Sequence, residues 1–264
     1  MDMLDKLYAA KRAVREADEA REPLEEVRGR AAERANTRRP LTARIASARG
    51  NAIIAEIKRA SPSVGLIVRD IDPAEIAREY ASAGADAISV LTESDHFLGD
   101  LAYLDIAREA APLPILRKDF LSTPYEVAQS AAYGADAVLA IVAGLSDEQI
   151  AAMFAEARRW QVDVLVEVHN EAQLHRALEH GATLLGINNR DLRTFETNLA
   201  VTEELLPLVP PGKIVISESG LRTLDQTHHL AQLGARGFLI GETLMRAADK
   251  TELIRGLKGL PVPA

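Results

Sequence analysis

Several short apolar runs in this chain end in acidic, basic or amide side chains. Glu56 and Lys58 stand two residues apart at the end of the first run, so on a β-strand both would lie on one face. Ionisable groups are costly inside a protein unless they are paired or used. Any one alone could be a structural ion pair, but several at equivalent positions suggest a site for proton transfer. The groups that end or follow later runs are Lys118, Glu167, Asn188, Arg190 and Glu218.

A repeated Gly-Ala pair indicates the elements that would position these groups. The glycines are Gly84, Gly134, Gly181 and Gly234, spaced by about 50 residues, and each pair precedes an apolar run. A glycine after a helical stretch typically ends the helix, and the short apolar run is typical of a buried strand. One more strand and two helices fit between successive pairs. The predicted fold class is therefore α/β, a (β/α)8 TIM barrel with an N-terminal helical extension.

The predicted strands are rich in Val, Ile and Leu, as expected of parallel strands covered on both faces. Helices are predicted at 73–83 and 147–160, with caps at Asp72, Thr123 and Ser146. In this fold the active site lies at the carboxyl ends of the strands, where the polar groups stand. The eight strands are predicted at 53–57, 87–91, 114–117, 137–141, 164–168, 184–188, 214–217 and 238–240.

Two glycine-bearing loops late in the chain predict a phosphate site. Ser219-Gly220 follows the seventh strand, and Gly241-Glu242 follows the eighth. In barrels of this kind these two loops and a short helix frequently bind phosphate through backbone N–H groups, although glycines here could simply turn the chain. A carboxylate repels phosphate, so we expect Glu242 to use its backbone N–H while its side chain points away.

The segments before and after the first strand predict an extension and a lid. Residues 59–66 contain Ser, Pro and Gly and are typical of a loop that closes over substrate, although a plain connector is the alternative. Residues 1–48 are charge-dense, with Leu4, Leu7 and Val14 at helical spacing. They form either a solvated arm or a helix over one mouth of the barrel. We expect the eight βα units to fold without them.

Length and composition favour a soluble enzyme of one domain. The 264 residues suit one barrel of about 250 with an extension, so we predict a single domain over 1–264. The formal net charge of −8 argues against a nucleic-acid partner, and the absence of cysteine excludes a disulfide or thiolate zinc site. No apolar run approaches the roughly 20 residues of a membrane span, and no signal pattern begins the chain. We therefore expect a cytoplasmic protein with no membrane partner.

Six motifs, taken together and in order, resemble the indole-3-glycerol-phosphate synthase family. They are IAEIKRASPS (54–63), LRKDF (116–120), VEV (166–168), GINNRDL (186–192), SESG (217–220) and LIGE (239–242). The resemblance runs from the N-terminal arm to about residue 248. It implies ring closure of 1-(2-carboxyphenylamino)-1-deoxyribulose 5-phosphate with loss of carbon dioxide and water, a late step of tryptophan synthesis. It also implies a phosphorylated small-molecule substrate and no cofactor or metal.

The resemblance implies a role for each matching residue. Lys118 matches the acid at the sugar carbonyl, and burial or a neighbouring Lys58 would lower its pKa towards neutrality. Lys58 and Glu167 match the acid and base of the dehydration, in an order that stays open. Glu56 and Glu218 match carboxylates that position the lysines and the substrate hydroxyls. The other matches are Asn188 and Arg190 near the anthranilate, Phe97, Phe120, Leu139 and Ile141 around the ring, and Lys58, Ser61, Ser219, Gly220, Gly241 and Glu242 for phosphate.

Two departures and two alternatives accompany this interpretation. Many family members have Lys where Val64 stands and some have Ser where Glu242 stands, which leaves a lid contact and a phosphate contact open. Phosphoribosylanthranilate isomerase has a similar architecture but typically uses a Cys base, which this chain lacks. A catalytically inactive barrel that senses a phosphorylated ligand is the third interpretation, and the set of Lys58, Lys118 and Glu167 argues against it. We expect a monomer or a weak homo-oligomer.

Overall fold

The computed structural model describes residues 3–191 and 194–261, so the predicted features at Met1, Asp2 and Leu192 lie outside it. Eight parallel strands form a closed barrel in which each strand pairs with the next and the last pairs with the first. The strands are β1 (Ala52–Ile57), β2 (Ala87–Leu91), β3 (Ile115–Lys118), β4 (Ala137–Ile141), β5 (Asp163–Val168), β6 (Leu184–Asn188), β7 (Ile214–Glu218) and β8 (Gly237–Ile240).

All eight predicted strands are confirmed, with ends that shift by at most one residue. Strand β3 begins at Ile115 rather than at position 114, because the nitrogen of Pro114 has no hydrogen to give to the ladder. It extends instead to Lys118, and β7 extends to Glu218. Both of these ionisable residues are therefore the last residue of their strand rather than part of the loop.

The predicted helix caps are also confirmed. Asp72 accepts the backbone N–H groups of the first helical turn, Thr123 and Ser146 form capping boxes, and Gly84 ends its helix with φ of 92°. The helices are α1 (Met3–Arg21), α2 (Leu24–Glu33), α3 (Leu41–Ala46), α4 (Pro73–Ala83), α5 (Tyr103–Ala110), α6 (Pro124–Ala132), α7 (Asp147–Trp160), α8 (Glu171–Glu179), α9 (Ala200–Leu205), α10 (Leu224–Leu233), α11 (Glu242–Arg246) and α12 (Lys250–Leu257).

Each strand buries one face against the helices and the other inside the barrel. On β1, Ile53 and Ile57 belong to the outer apolar layer, whereas Ile54 belongs to the inner one. Because successive side chains alternate, Glu56 and Lys58 share the inward direction of Ile54. Both charged side chains therefore point into the mouth of the barrel, as the sequence predicts.

Helix α1 covers part of the carboxyl-terminal mouth. Leu4 and Leu7 are buried in the inner apolar layer, and the ring of Tyr8 contacts that of Phe120 edge to face at 5.8 Å. The helix-over-the-mouth interpretation is therefore the one that the packing supports. The predicted apolar stripe does not continue, however, because Val14 is exposed. Lys11, not Val14, is the residue that continues the buried face of α1.

Helix α3 closes the opposite, amino-terminal end of the barrel. Leu41 and Ile45 are fully buried in the inner apolar layer. The backbone N–H of Thr42 donates to Asp163 at the start of β5. The expectation that the barrel folds without residues 1–48 stays a prediction, and this packing argues against it, since removing α3 would expose the base of the inner core.

The structure bears on the predicted lack of a membrane span but not on the predicted domain number or oligomeric state. Over the described ranges, 3–191 and 194–261, no helix is both long enough and apolar enough to cross a membrane. The single domain over 1–264 and the monomer or weak homo-oligomer stay predictions.

Candidate active site

A cavity of about 570 Å³ opens at the carboxyl-terminal end of the barrel. It is lined by every residue that the sequence analysis assigns to the site, so eight separate strand ends and loops converge on one place. Those residues are Glu56, Lys58, Ser61, Phe97, Lys118, Phe120, Leu139, Ile141, Glu167, Asn188, Arg190, Glu218, Ser219, Gly220, Gly241 and Glu242.

Lys118 lies between two buried carboxylates. Its Nζ donates to Glu167 Oε2 at 2.7 Å and is 3.2 Å from Glu218 Oε2. Burial alone would lower the pKa of Lys118, but Glu167, Glu218 and Glu56 outweigh it and raise that pKa. This direction is opposite to the lowered pKa expected from the sequence, and Lys118 is an ammonium group.

The two carboxylates beside Lys118 have opposite tendencies. Burial raises the pKa of Glu218 to about 8, and Glu167 adds to the rise while Lys118 opposes it. For Glu167, burial also raises the pKa, but Lys118 and the positive form of His169 outweigh it and lower that pKa. When the pKa values of two nearby carboxyl groups are shifted in opposite directions, one group is typically protonated and the other ionised, and here Glu167 is the ionised one.

Two glycines make room for the carboxylates. A Cβ on Gly186 of β6 would collide with Glu218 Oε1, and one on Gly241 would collide with Glu56 Oε1. Lys58 Nζ is 3.3 Å from this same Glu56 oxygen. We assigned Gly241 only to close approach of phosphate, so the space it leaves for Glu56 is a second reason for a glycine there.

His169 is a site residue that the sequence analysis missed. Its Nε2 is 3.3 Å from Glu167 Oε1, and its ring faces Gln173 of α8 through Nδ1. The sequence does contain a signal for it: His169 is two residues after Glu167, as Lys58 is two residues after Glu56, and residues two apart on a strand point to the same face. Asn188 also helps to lower the pKa of Glu167.

The apolar wall of the cavity combines predicted and additional residues. The rings of Phe97 and Phe120 are 5.9 Å apart between centroids, and Lys58 Nζ lies 5.8 Å from the Phe97 ring. Leu139 and Ile141 of β4 line the floor. Leu7 of α1 joins them, although the sequence alone could not show which surface its helix covers.

The loop after β1 lines the cavity through Ser61, Pro62 and Ser63, and its role as a lid stays a prediction. It forms a hairpin of two-residue strands, Ala60–Ser61 and Gly65–Leu66. Ser63 in its turn accepts from Arg190 Nη1 at 2.6 Å and lies 3.2 Å from Ser61 Oγ. Arg190 therefore contacts the loop from the far side of the mouth. The exposed Val64 lies in the same turn.

The loops after β7 and β8 form one end of the cavity, beside the loop after β1, because β8 pairs with β1. Ser219 and Gly220 have φ of 67° and 80°, so this turn carries consecutive residues in the left-handed region. The carboxylate of Glu242 is turned to Arg246 Nε at 3.1 Å. This ion pair accounts for an acidic residue at an expected anion site. Arg246 and Arg222 also line this end, and neither was predicted.

The fold and the site together define a (β/α)8-barrel enzyme with paired lysines and glutamates at the carboxyl ends of its strands. Comparison with known proteins agrees with this class. The family model "Indole-3-glycerol phosphate synthase" matches residues 4–257. The chain belongs to this family of decarboxylating, ring-closing lyases, which act in tryptophan biosynthesis.

Curated relatives match almost the whole chain. The indole-3-glycerol phosphate synthase of Rhodospirillum rubrum is 46% identical over 262 residues, which is 98% of this chain and 99% of the relative. That of Azospirillum brasilense is 44% identical over 258 residues, covering 97% of this chain and 98% of the relative.

Solved structures that match at low identity show the fold alone. The 3-hexulose-6-phosphate synthase of Salmonella typhimurium has a TM-score of 0.64 and 15% identity over 79% of this chain and 97% of its own. KGPDC from Streptococcus mutans has a TM-score of 0.61 and 14% identity over 80% and 96%.

Proposed function

We propose that the site converts 1-(2-carboxyphenylamino)-1-deoxyribulose 5-phosphate into indole-3-glycerol phosphate through the residues described above. The observation that carries this assignment is Lys118, an ammonium group held by Glu167 and Glu218 against the apolar wall of one cavity. The substrate has an apolar aromatic ring, a carbonyl that needs a proton, and two anionic ends. The cavity offers a matching wall, a proton donor and cationic groups.

The phosphate binds at the end formed by the loops after β7 and β8. The backbone N–H groups of Gly220 and Glu242 are assigned to bind it, and Ser219 adds a hydroxyl, since all three residues line this end. Arg222 and Arg246 supply positive charge nearby. The carboxylate of the anthranilate lies across the cavity near Arg190, whose planar fork suits a carboxylate.

Lys118 is the acid of ring closure. As the aromatic carbon attacks the carbonyl carbon, the carbonyl oxygen gains negative charge and takes a proton from Lys118 Nζ. Glu167 and Glu218 keep this ammonium in place before the reaction. The carboxylate then leaves as carbon dioxide, and its electron pair restores the aromatic ring, so this step needs no separate catalyst.

Lys58 and Glu167 carry out the dehydration. Glu167 is assigned as the base because its pKa is lowered, burial being outweighed by Lys118, and it is therefore ionised. Lys58, held by Glu56, gives a proton to the departing hydroxyl. The C–H electron pair forms the double bond of the new ring, and water leaves. Lys58 also reaches towards the phosphate through its ammonium charge.

The test is turnover of this substrate by a Lys118→Met protein, followed by the fluorescence of the indole product. Loss of a positioned acid typically lowers the rate by ~10²–10⁴-fold, and we expect a loss in this range with cooperative unfolding retained. Lys6→Met is the matched control, because Lys6 is exposed on α1. Full turnover by folded Lys118→Met protein would exclude the assigned role.

A further inference from the structure

His169 is a partly buried group that the proposed mechanism leaves without a role. It follows β5 directly and stands two positions after Glu167, so its side chain leaves the strand on the same side as that carboxylate. Its Nε2 is 3.3 Å from Glu167 Oε1 and is shielded from solvent, and among residues 3–191 and 194–261 it has no partner in hydrogen-bond geometry. The protonation state of this nitrogen can be argued from the other side of the ring.

Gln173 of α8 determines which ring nitrogen of His169 carries hydrogen. Gln173 Oε1 accepts the backbone N–H of His169 at 2.9 Å, so the atom that faces His169 is the amide oxygen. The same oxygen lies 3.3 Å from Nδ1, and two acceptors would repel there, so Nδ1 carries the hydrogen. In a neutral imidazole Nε2 then has a lone pair, which lies 3.3 Å from a carboxylate oxygen without being aligned with it.

We infer that Glu167 and His169 accept the substrate proton as a pair, with His169 as a positioning residue behind the base. When both groups are unprotonated, the electron-rich Nε2 and Oε1 atoms lie 3.3 Å apart and repel each other. A proton on Oε1 removes this repulsion, because a small rotation of the carboxyl group lets the new O–H group donate to Nε2. The pair therefore takes up a proton more readily than Glu167 would without an acceptor behind it. This inference rests on the proposed function, in which Glu167 is the base.

The proton balance of the dehydration then closes within the site. The C–H bond next to the departing hydroxyl breaks, and its electron pair forms the new double bond. The hydroxyl leaves as water with a proton from Lys58. The removed proton ends between Glu167 Oε1 and His169 Nε2, and through solvent it replaces the proton that Lys58 gave. Lys118 regains its proton from solvent, because loss of a carboxylate as carbon dioxide consumes one proton per turnover. The side chain of His169 is 13% exposed, whereas that of Glu167 is 1% exposed.

The charges around this pair determine its response to pH. Lys118 of β3 and Glu218 of β7 face Glu167 from the barrel, and Tyr8 of α1 is close enough that burial and Glu167 raise the pKa of its hydroxyl. On α8 the neighbour Gln173 is uncharged. A pair that already holds a proton is a weaker base, so activity should fall as the pH is lowered and the pair binds its first proton.

The experiment compares His169→Leu with His175→Leu in single-turnover reactions across a pH range. His175 is the matched control, because it lies on α8 with a side chain 62% exposed and pairs only with Glu171 of the same helix at 3.6 Å. For His169→Leu we expect a plateau rate about tenfold lower and an acid limb moved down by about one pH unit or more. For His175→Leu we expect the parent profile.

A second variant tests the tautomer argument without touching the imidazole. In Gln173→Leu the ring hydrogen is free to move to Nε2 and donate to Glu167, which stabilises the carboxylate and weakens it as a base. We expect its acid limb to move down as well. A lower rate at all pH values with an unmoved limb, or parent-like profiles in both variants, would overturn the inference.

The Glu167→Gln protein separates this inference from the proposed function. If it reacts at the parent rate, Glu167 is not the base and the proposed dehydration fails. If it is inactive in dehydration while His169→Leu keeps the parent profile, only the role of His169 fails. Cooperative thermal unfolding of each variant is measured alongside, so that misfolding is recognised.

Discussion

Lys11 of helix α1 and Asp119, the residue after β3, form a buried ion pair with 2.6 Å between Nζ and Oδ2. The same oxygen accepts from Arg117 at 3.0 Å and from Thr92 at 2.5 Å. Burial raises the pKa of Asp119, but Lys11 and Arg117 outweigh it and lower that pKa to about 2. The N-terminal helix is thus anchored by charge one residue away from Lys118.

We predict that Lys11→Met lowers both stability and activity. Breaking a buried ion pair typically costs about 3–5 kcal/mol, and the remaining Arg117 contact places the expected loss at the lower end. The activity should fall because α1 carries Leu7 into the cavity wall. Urea unfolding and steady-state kinetics measure the two effects. Lys6→Met, an exposed lysine of the same helix, is the control, and equal behaviour of the two variants would contradict the prediction.

The comparison of Lys11 with Lys58 shows how far the sequence could predict this site. The inward direction of Lys58 follows from its distance from Glu56 along one strand, so a local rule is enough. Lys11 meets Asp119 across 108 positions of the chain, and no local rule relates them. The stripe of Leu4 and Leu7 indicated a buried helix face, but charged Lys11 on that face could only be found with its partner in view.

The barrel itself was predictable because its signals are local and repeated. Each strand is a short apolar run after a helix stop, and each cap lies within a few residues of its helix start. The contacts between strands were not predictable in the same way. Gly186 is an example, because its lack of a side chain matters only to Glu218 on the neighbouring strand. The raised pKa of Lys118 likewise depends on carboxylates from β5 and β7, together with burial that opposes it.

The raised pKa of Glu218 predicts how stability depends on pH. Burial, with help from Glu167, moves this pKa from 4.5 to about 8 against the opposing Lys118. The folded protein therefore binds more protons than the unfolded chain within this window. This contribution to stability is fully present below pH 4.5 and is lost as pH rises towards 8.

Replacement of Glu218 by Gln should remove that contribution. We expect the free energy of unfolding of Glu218→Gln to fall less than that of the parent between pH 5 and about 8. Urea unfolding at several pH values measures the difference, with Glu33→Gln, an exposed glutamate of α2, as the control. An unchanged slope in Glu218→Gln would show that this carboxyl group does not titrate in that window.

We predict that the phosphate is held mainly by backbone groups of the loop after β7. In Gly220→Ala a new Cβ would meet Thr197 and occupy the approach to this backbone. Gly212→Ala is a matched control, because the φ of Gly212 (85°) is close to that of Gly220 (80°). Unlike Gly220, Gly212 has open space around it. Both variants should lose about 1–2 kcal/mol of stability from the left-handed backbone.

Only Gly220→Ala should raise the KM for substrate, by more than about tenfold, since the backbone N–H groups there bind phosphate. Glu242→Ala should change KM little, because its carboxylate is turned to Arg246. Steady-state kinetics of the three variants decide between the accounts. A larger KM in Glu242→Ala than in Gly220→Ala would mean that the Glu242 side chain, not the backbone, determines binding at this end.

The two ends of the N-terminal extension should have separable effects when they are removed. A chain that begins at Glu22 lacks only α1, so it keeps α2 and the α3 side chains Leu41 and Ile45 that close the base of the barrel. We expect it to unfold cooperatively but to bind substrate weakly and turn it over slowly, because it lacks Leu7 at the cavity and Lys11 beside Asp119.

A chain that begins at Arg49 should lose cooperative unfolding, since Leu41 and Ile45 are fully buried. Circular dichroism during urea unfolding and steady-state kinetics test both chains. Unchanged kinetics in the first would show that α1 does not serve the site, and cooperative unfolding of the second would show that the barrel does not need α3 at its base.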